Sequence, residues 1–196
     1  MTQATTGSPV SLATQALVHG GIALLLAALL IGADSGASTG VTAYLVAAWA
    51  FLTGLALSHI VHEWCHFLGA RTARSALTLK PRIHPLFFDY DFAQNTPAQF
   101  LCLSIGGLLG NLMLLCIALL CAGSQSPVMT AFLAAVAGQF VFVLILELPV
   151  SIAVMAGRDP LQALQQHFGQ GGPLFLRAGI GGLATAALVF LLWGAS

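Results

Sequence analysis

Two histidines and a glutamate stand in a spacing that suits a metal-dependent hydrolase. His62, Glu63 and His66 belong to the run His-Glu-Trp-Cys-His. Residues four apart lie on one face of an α-helix, so the two imidazoles can offer nitrogens to one metal ion. The carboxylate of Glu63 lies one position round the helix, where it can accept a proton from a water on that ion. The spacing therefore predicts a Zn²⁺ site with Glu63 as the general base.

A polar network between helices is the competing interpretation of these side chains. It accounts for neither the glutamate nor the spacing of the histidines, and ionisable groups inside a membrane helix are functional by default. His59 lies on the same face one turn earlier. We expect it to form hydrogen bonds around the site rather than to bind the metal.

A catalytic zinc ion usually has three protein ligands and one open position. Among the six acidic residues, elimination by position leaves Glu147 and Asp159 as the third ligand. Glu147 lies about as far before Arg158 as His62 lies before Arg71, so the two would lie at a similar depth if both segments cross a membrane. This favours Glu147, which could otherwise form an interfacial ion pair. A helix break at Pro149 with a turn at Gly157 would instead bring Asp159 to the metal. Asp159 could equally cap a helix, since proline follows it. The residues alone leave both assignments open.

The composition predicts that lipid surrounds most of the chain. It has 58% hydrophobic and 6% charged residues, with a mean hydropathy of +0.94, whereas soluble domains have about 25% charged residues. The net charge is zero and there is no basic run, which argues against nucleic acid as a partner. The four cysteines lie in apolar stretches and indicate small buried residues rather than disulfides.

Five apolar segments are candidate membrane spans, at residues 16–31, 41–70, 98–122, 128–148 and 174–193. A helix needs about 20 apolar residues to cross a bilayer. Between the second and third, residues 71–97 contain a segment that reads as a short re-entrant β-hairpin, and residues 160–168 read as an interfacial helix. The fold class is therefore an all-α polytopic membrane protein, formed as a single membrane domain over residues 1–196.

The positive charges predict the orientation. With five spans, every cation falls on the same side of the membrane: Arg71, Arg74, Lys80, Arg82, Arg158 and Arg177. Positively charged loops stay on the cytoplasmic side. We expect an integral, multi-pass protein of a bacterial inner membrane, with its N-terminus in the cytoplasm and its C-terminus outside.

The stretch from Ser58 to Arg71, which contains the motif, resembles the motif helix of the site-2 proteases, the M50 intramembrane zinc metalloproteases. Residues 76–92 are similar to the β-hairpin that follows this helix in the family. The run from Gly106 to Asn111 resembles its Gly-Pro-x-x-Asn element. Residues 148–160 resemble the element that carries its third zinc ligand. The resemblance covers residues 50–164.

The resemblance implies a minimal metalloprotease core over residues 41–165, flanked by helices at 16–31 and 174–193, with no PDZ module. Zn²⁺ would be bound by His62, His66 and Asp159, with Glu147 as the alternative third ligand. Glu63 would be the base, and Asn111 would bind substrate. The implied partners are the lipid bilayer and a transmembrane protein substrate, whose peptide bond is cut near the cytoplasmic face. The alternative is a catalytically silent member that serves as a subunit of a membrane complex.

Overall fold

The computed structural model describes residues 10–35, 40–121 and 126–194. Within these ranges the regular secondary structure is helical apart from one two-stranded hairpin. The elements are α1 (Leu12–Ser35), α2 (Val41–Thr72), β1 (Leu77–Leu79), β2 (Phe88–Tyr90), α3 (Pro97–Cys121), α4 (Pro127–Met155), α5 (Pro160–Phe168) and α6 (Gly172–Gly194).

Five of the helices, α1, α2, α3, α4 and α6, are long and apolar enough to cross a membrane. Their spans have 22 to 32 residues and mean hydropathies of 1.7 to 2.3, against about 20 residues needed for a bilayer. The chain is therefore an all-α multi-pass membrane protein, as the sequence predicts. The short α5 lies where the interfacial helix is predicted.

Helix α4 differs from the prediction, because it does not end near Pro149. It continues through this residue to Met155. Proline is tolerated within membrane helices when neighbouring groups satisfy the freed backbone. The chain turns only at Gly157, whose φ of 92° is readily adopted by glycine. The fourth span is thus about two turns longer than predicted, and it reaches the end of the bundle near the motif as an unbroken helix.

Glycines bring α2 and α3 into backbone contact. A Cβ added at Gly69 would lie 2.1 Å from the carbonyl oxygen of Cys102, and one at Gly106 would lie 2.4 Å from that of Cys65. Either distance is far shorter than a van der Waals contact, so only glycine fits at both positions. Small residues at such contacts let membrane helices pack closely. The end of α2 that carries the motif is thereby pressed against the start of α3.

Helices α4 and α6 pack antiparallel through a similar glycine contact. A Cβ at Gly138 would lie 2.7 Å from the carbonyl oxygen of Gly182, and one at Gly182 would lie 2.8 Å from that of Gly138. Further along, Leu146 of α4 lies in one apolar cluster with Leu174 and Ala178 of α6. Helix α6 therefore supports α4 from outside the site.

The hairpin follows α2 and pairs its strands antiparallel, with Thr78 opposite Asp89, as predicted for this segment. Phe87, just before β2, is fully buried and packs its ring 4.5 Å from that of Trp64. Near the start of α1, the side-chain amide of Gln15 donates to the backbone carbonyl of Arg82 at 3.0 Å. The beginning of α1, the end of α2 and the hairpin therefore meet at one end of the bundle.

Candidate metal centre

Three side chains from α2 and α4 converge in the described part of the chain. The Nε2 atoms of His62 and His66 lie 2.9 Å and 3.3 Å from Oε1 of Glu147. One ligand atom from each residue lies within 4.8 Å of the others. The two histidines share a face of α2, as their spacing predicts. Glu147 is 85 residues from His62 in the sequence and reaches the pair from the neighbouring helix.

The ring of His66 is oriented by a backbone carbonyl. Its Nδ1 lies 2.7 Å from the carbonyl oxygen of Leu103 in α3. A carbonyl can only accept, so Nδ1 carries the proton and donates it. In the neutral ring, Nε2 then keeps its lone pair and directs it at the carboxylate of Glu147. Two electron-rich atoms facing each other across 3.3 Å require a cation between them, either a proton or a metal ion.

The ring of His62 is held by Asn111 of α3. The side-chain Nδ2 of Asn111 lies 3.1 Å from Nδ1 of His62, in a buried contact. In this orientation the amide donates, so Nε2 of His62 carries the ring proton and donates it to Glu147. After a half-turn of the amide, Oδ1 would accept from Nδ1–H and free Nε2 for a metal ion. Asn111 Oδ1 is buried with no hydrogen-bond partner in the described part of the chain.

The donor set fits zinc. Two imidazole nitrogens and one carboxylate oxygen form a common catalytic zinc ligand set, and donors at about 2.0–2.2 Å from the ion lie roughly 3.3 Å apart in tetrahedral geometry. The measured separations from Glu147 Oε1 are 2.9 Å and 3.3 Å. Glu147 Oε2 is buried without a hydrogen-bond partner among the described residues. A buried carboxylate with a free oxygen is costly unless it is paired or coordinates a metal.

A glycine makes room for the two imidazoles. A Cβ added at Gly107 of α3 would lie 2.3 Å from Cε1 of His66 and 2.7 Å from Cε1 of His62. Any larger residue would displace both rings, so the backbone of α3 forms one wall of the site. The residue type at this position does not by itself indicate a role in the site. The adjacent glycines at 106 and 107 were the available signal of a close helix contact.

Glu63 is buried at 9% exposure and lies outside the group of three converging donors. Its Oε1 lies 3.9 Å from Nδ1 of His59. His59 also lies outside this group of three.

Asp159 does not join the two histidines. Its side chain caps the N-terminus of α5 and accepts from the backbone N–H of Gln162 at 3.0 Å. Of the two predicted candidates for a third ligand, the structure groups Glu147, the alternative, with the histidines and not Asp159. The physical reason is the unbroken α4, which keeps Glu147 level with the histidines and leaves Asp159 beyond the turn.

Asn111 lies inside the site, but its side chain is 1% exposed and contacts His62. A buried amide that orients an imidazole has little surface left for a substrate. The structure therefore associates Asn111 with the histidine ring rather than with the predicted substrate contact.

Comparisons of the chain with protein-family models, with curated proteins and with solved structures found no match. The relation to the site-2 proteases stays a prediction from the motif residues. Function is therefore inferred from the side chains and their arrangement.

Proposed function

We propose that the protein is an intramembrane zinc metalloprotease that hydrolyses a peptide bond in a transmembrane protein substrate. The observation that carries this proposal is the convergence of His62, His66 and Glu147 around one point, beside Glu63, on helices long enough to cross a membrane. Ionisable side chains inside a membrane helix cost free energy, so their presence there indicates a function.

When bound, zinc lowers the pKa of a water molecule towards neutrality and polarises the carbonyl of the peptide bond. His62, His66 and Glu147 would hold the ion and leave one coordination position open. The carbonyl of Leu103 accepts from the outer nitrogen of His66, and the amide of Asn111, after its half-turn, would accept from the outer nitrogen of His62. These contacts would fix how the two imidazoles face the ion. Such outer contacts orient ligands and strengthen metal binding.

Glu63 provides the proton transfer that hydrolysis requires. Its carboxylate accepts a proton from the attacking water and passes it to the nitrogen of the leaving amine, so it is regenerated with each turnover. Its 9% exposure keeps bulk water away from that proton. Because Glu63 is one residue from His62, the base and a metal ligand move together on one helix.

The orientation proposed for the chain puts the site near the cytoplasmic face. The hairpin, α5 and all six cations lie at the end of the bundle where α2 ends and α3 begins. Positively charged segments stay in the cytoplasm. His62 and His66 lie within the last three turns of α2, so a substrate would be cut at the cytoplasmic end of its span.

The first test measures metal and turnover in the purified full-length protein. We expect about one zinc ion per chain by elemental analysis. The Glu63→Gln variant should keep its zinc and lose about 100-fold or more in turnover of a transmembrane peptide, because an amide cannot accept the proton. The matched control is Asp89→Asn, the same acid-to-amide exchange at a hairpin side chain that is 68% exposed.

Cleavage by Glu63→Gln at the wild-type rate would remove Glu63 as the base. Zinc retained at full stoichiometry in the His62→Ala, His66→Ala double variant would remove the metal site. Zinc binding without cleavage of any transmembrane peptide would favour the catalytically silent alternative.

A further inference from the structure

A cavity of about 170 Å³ lies beside His66 and Glu147, two of the three converging donors. Apolar side chains from three helices and from the segment after the hairpin form most of its wall: Phe92, Phe100, Leu103, Val150, Leu164 and Phe168. We propose that this cavity binds the apolar side chain of a substrate residue next to the scissile bond. This inference rests on the proposed protease function and adds the class of residue that is recognised.

The wall of the cavity offers no hydrogen-bond donor to the oxygen atoms of a polar side chain. Besides the two donors, its one polar lining residue is Ser104, whose Oγ lies 2.7 Å from Oγ of Ser151. Ser151 donates its own proton to the backbone carbonyl of Glu147 at 3.2 Å, so the hydroxyl of Ser104 is the donor in the serine pair. No free donor is left there for a substrate. A carboxylate or amide oxygen entering the cavity would lose its hydrogen bonds to water without replacement.

The volume suits one medium-sized or large apolar side chain. A dry cavity of about 150 Å³ lined by aliphatic and aromatic residues is known to accommodate benzene. The space of about 170 Å³ therefore fits leucine, methionine or phenylalanine. Alanine would leave most of it empty, and the larger indole of tryptophan would overfill it.

Packing keeps the cavity walls in place. Phe100 and Val150 are buried in one cluster with Ala163, and Leu164 and Phe168 pack against it. These contacts attach α5 to α3 and α4. Interiors packed in this way resist deformation, so the cavity should discriminate by size instead of adjusting to each side chain.

Helix α5 sets the size of the cavity and can be altered without touching the metal donors. It supplies Leu164 and Phe168 from outside the membrane-spanning helices. Leu161 lies on the same helix but is 42% exposed and is not part of the wall. Leu164 and Leu161 therefore form a matched pair, in which the same substitution changes the cavity or leaves it unchanged.

The experiment incubates the zinc-loaded full-length protein with synthetic single-span peptides varied at each position, and mass spectrometry identifies the cleaved bonds. We expect leucine, methionine or phenylalanine to be enriched at one position flanking the cut. Leu164→Trp should shift the ratio of kcat/KM for leucine over alanine by about tenfold or more towards alanine. Leu164→Ala should shift the ratio of kcat/KM towards larger substrate residues. The shift should lie within about 10- to 200-fold, the discrimination that one methylene group gives in an apolar pocket.

A second readout measures binding without turnover. In the zinc-loaded Glu63→Gln protein, the peptide with leucine at the preferred position should bind more tightly than its alanine counterpart. Adding Leu164→Trp should abolish that difference, whereas adding Leu161→Trp should preserve it. Zinc content equal to wild type in every variant excludes damage to the metal centre.

The two proposals fail in different ways. Cleavage that proceeds with the same residue preference in wild type, Leu164→Trp and Leu164→Ala would overturn the pocket and leave the protease intact. A change of preference caused equally by Leu161→Trp would also overturn it. If zinc-loaded wild type cleaves no peptide, the protease and the pocket fall together.

Discussion

The choice between two acidic residues shows how a metal site depends on side-chain position. Glu147 lies 2.9 Å from His62 and 3.3 Å from His66, while Asp159 accepts a hydrogen bond from the first turn of α5. Glu147 lies within the fourth span, and Asp159 follows it in the sequence. Only Glu147 points from α4 towards α2, whereas Asp159 caps α5.

Two isosteric substitutions test which acidic residue binds the metal ion. Loss of a hydrogen bond to a metal ligand lowers metal affinity by about 10- to 100-fold. Glu147→Gln should lower zinc affinity by more than this, because it removes a charged ligand. Asp159→Asn should leave zinc affinity unchanged and keep the cap, since asparagine caps as well as aspartate. Competition with a chromogenic chelator measures both affinities. Loss of zinc in the Asp159 variant alone would reverse the assignment.

At the scale of elements, the approach of α3 to α2 determines whether the imidazoles fit. Gly69 and Gly106 allow the two backbones to touch, and Gly107 leaves room for the rings of His62 and His66. The same approach brings the carbonyl of Leu103 to within 2.7 Å of His66 Nδ1. One helix contact therefore both encloses the rings and orients one of them.

Gly107→Ala tests this contact. The new methyl group would lie 2.3 Å from the ring of His66, so the ring must move away from its hydrogen bond. We expect zinc affinity to fall about tenfold or more, as for other changes around metal ligands, while helix content by circular dichroism stays the same. The control is Gly179→Ala in α6, where an added Cβ has nothing within 4 Å. Equal zinc affinity in both variants would show that the close approach is unimportant.

At the scale of the whole molecule, antiparallel packing gathers the chemistry at one end. The start of α1 contacts the hairpin through Gln15, and Trp64 near the end of α2 donates to His19 near the start of α1 at 3.1 Å. His62 and His66 lie in the last turns of α2, Glu147 faces them from α4, and α5 follows α4 at the same end. The cations occupy this end as well, which links the position of the site to the orientation of the chain in the membrane.

The orientation is tested by labelling single cysteines in a variant that lacks the four native ones. His84→Cys, in the hairpin, should react with a membrane-impermeant maleimide only after the cells are permeabilised. Val41→Cys, at the start of α2, should react in intact cells, because the positive-inside rule puts that end outside. Reaction of His84→Cys in intact cells would invert the proposed topology.

The sequence by itself determined the features that depend on neighbouring residues. A separation of four residues places His62 and His66 on one helical face. Long apolar runs with few charges indicate membrane helices. The hairpin after α2 and the short α5 were also predictable, because turns, prolines and polar residues interrupt the apolar runs locally. Each of these signals is complete within one segment of the chain.

Only the tertiary structure decided which distant residues complete the site. Glu147 reaches His62 across 85 residues, and that contact depends on α4 passing Pro149 without a break. Local reasoning favours a break there, because proline removes a backbone hydrogen bond. Packing against α2, α3 and α6 keeps α4 continuous, so that Glu147 faces the histidines. Asp159 then lies beyond the end of α4, where it caps α5. The sequence therefore determines that the two histidines share a helical face, and helix packing determines that Glu147 lies beside them.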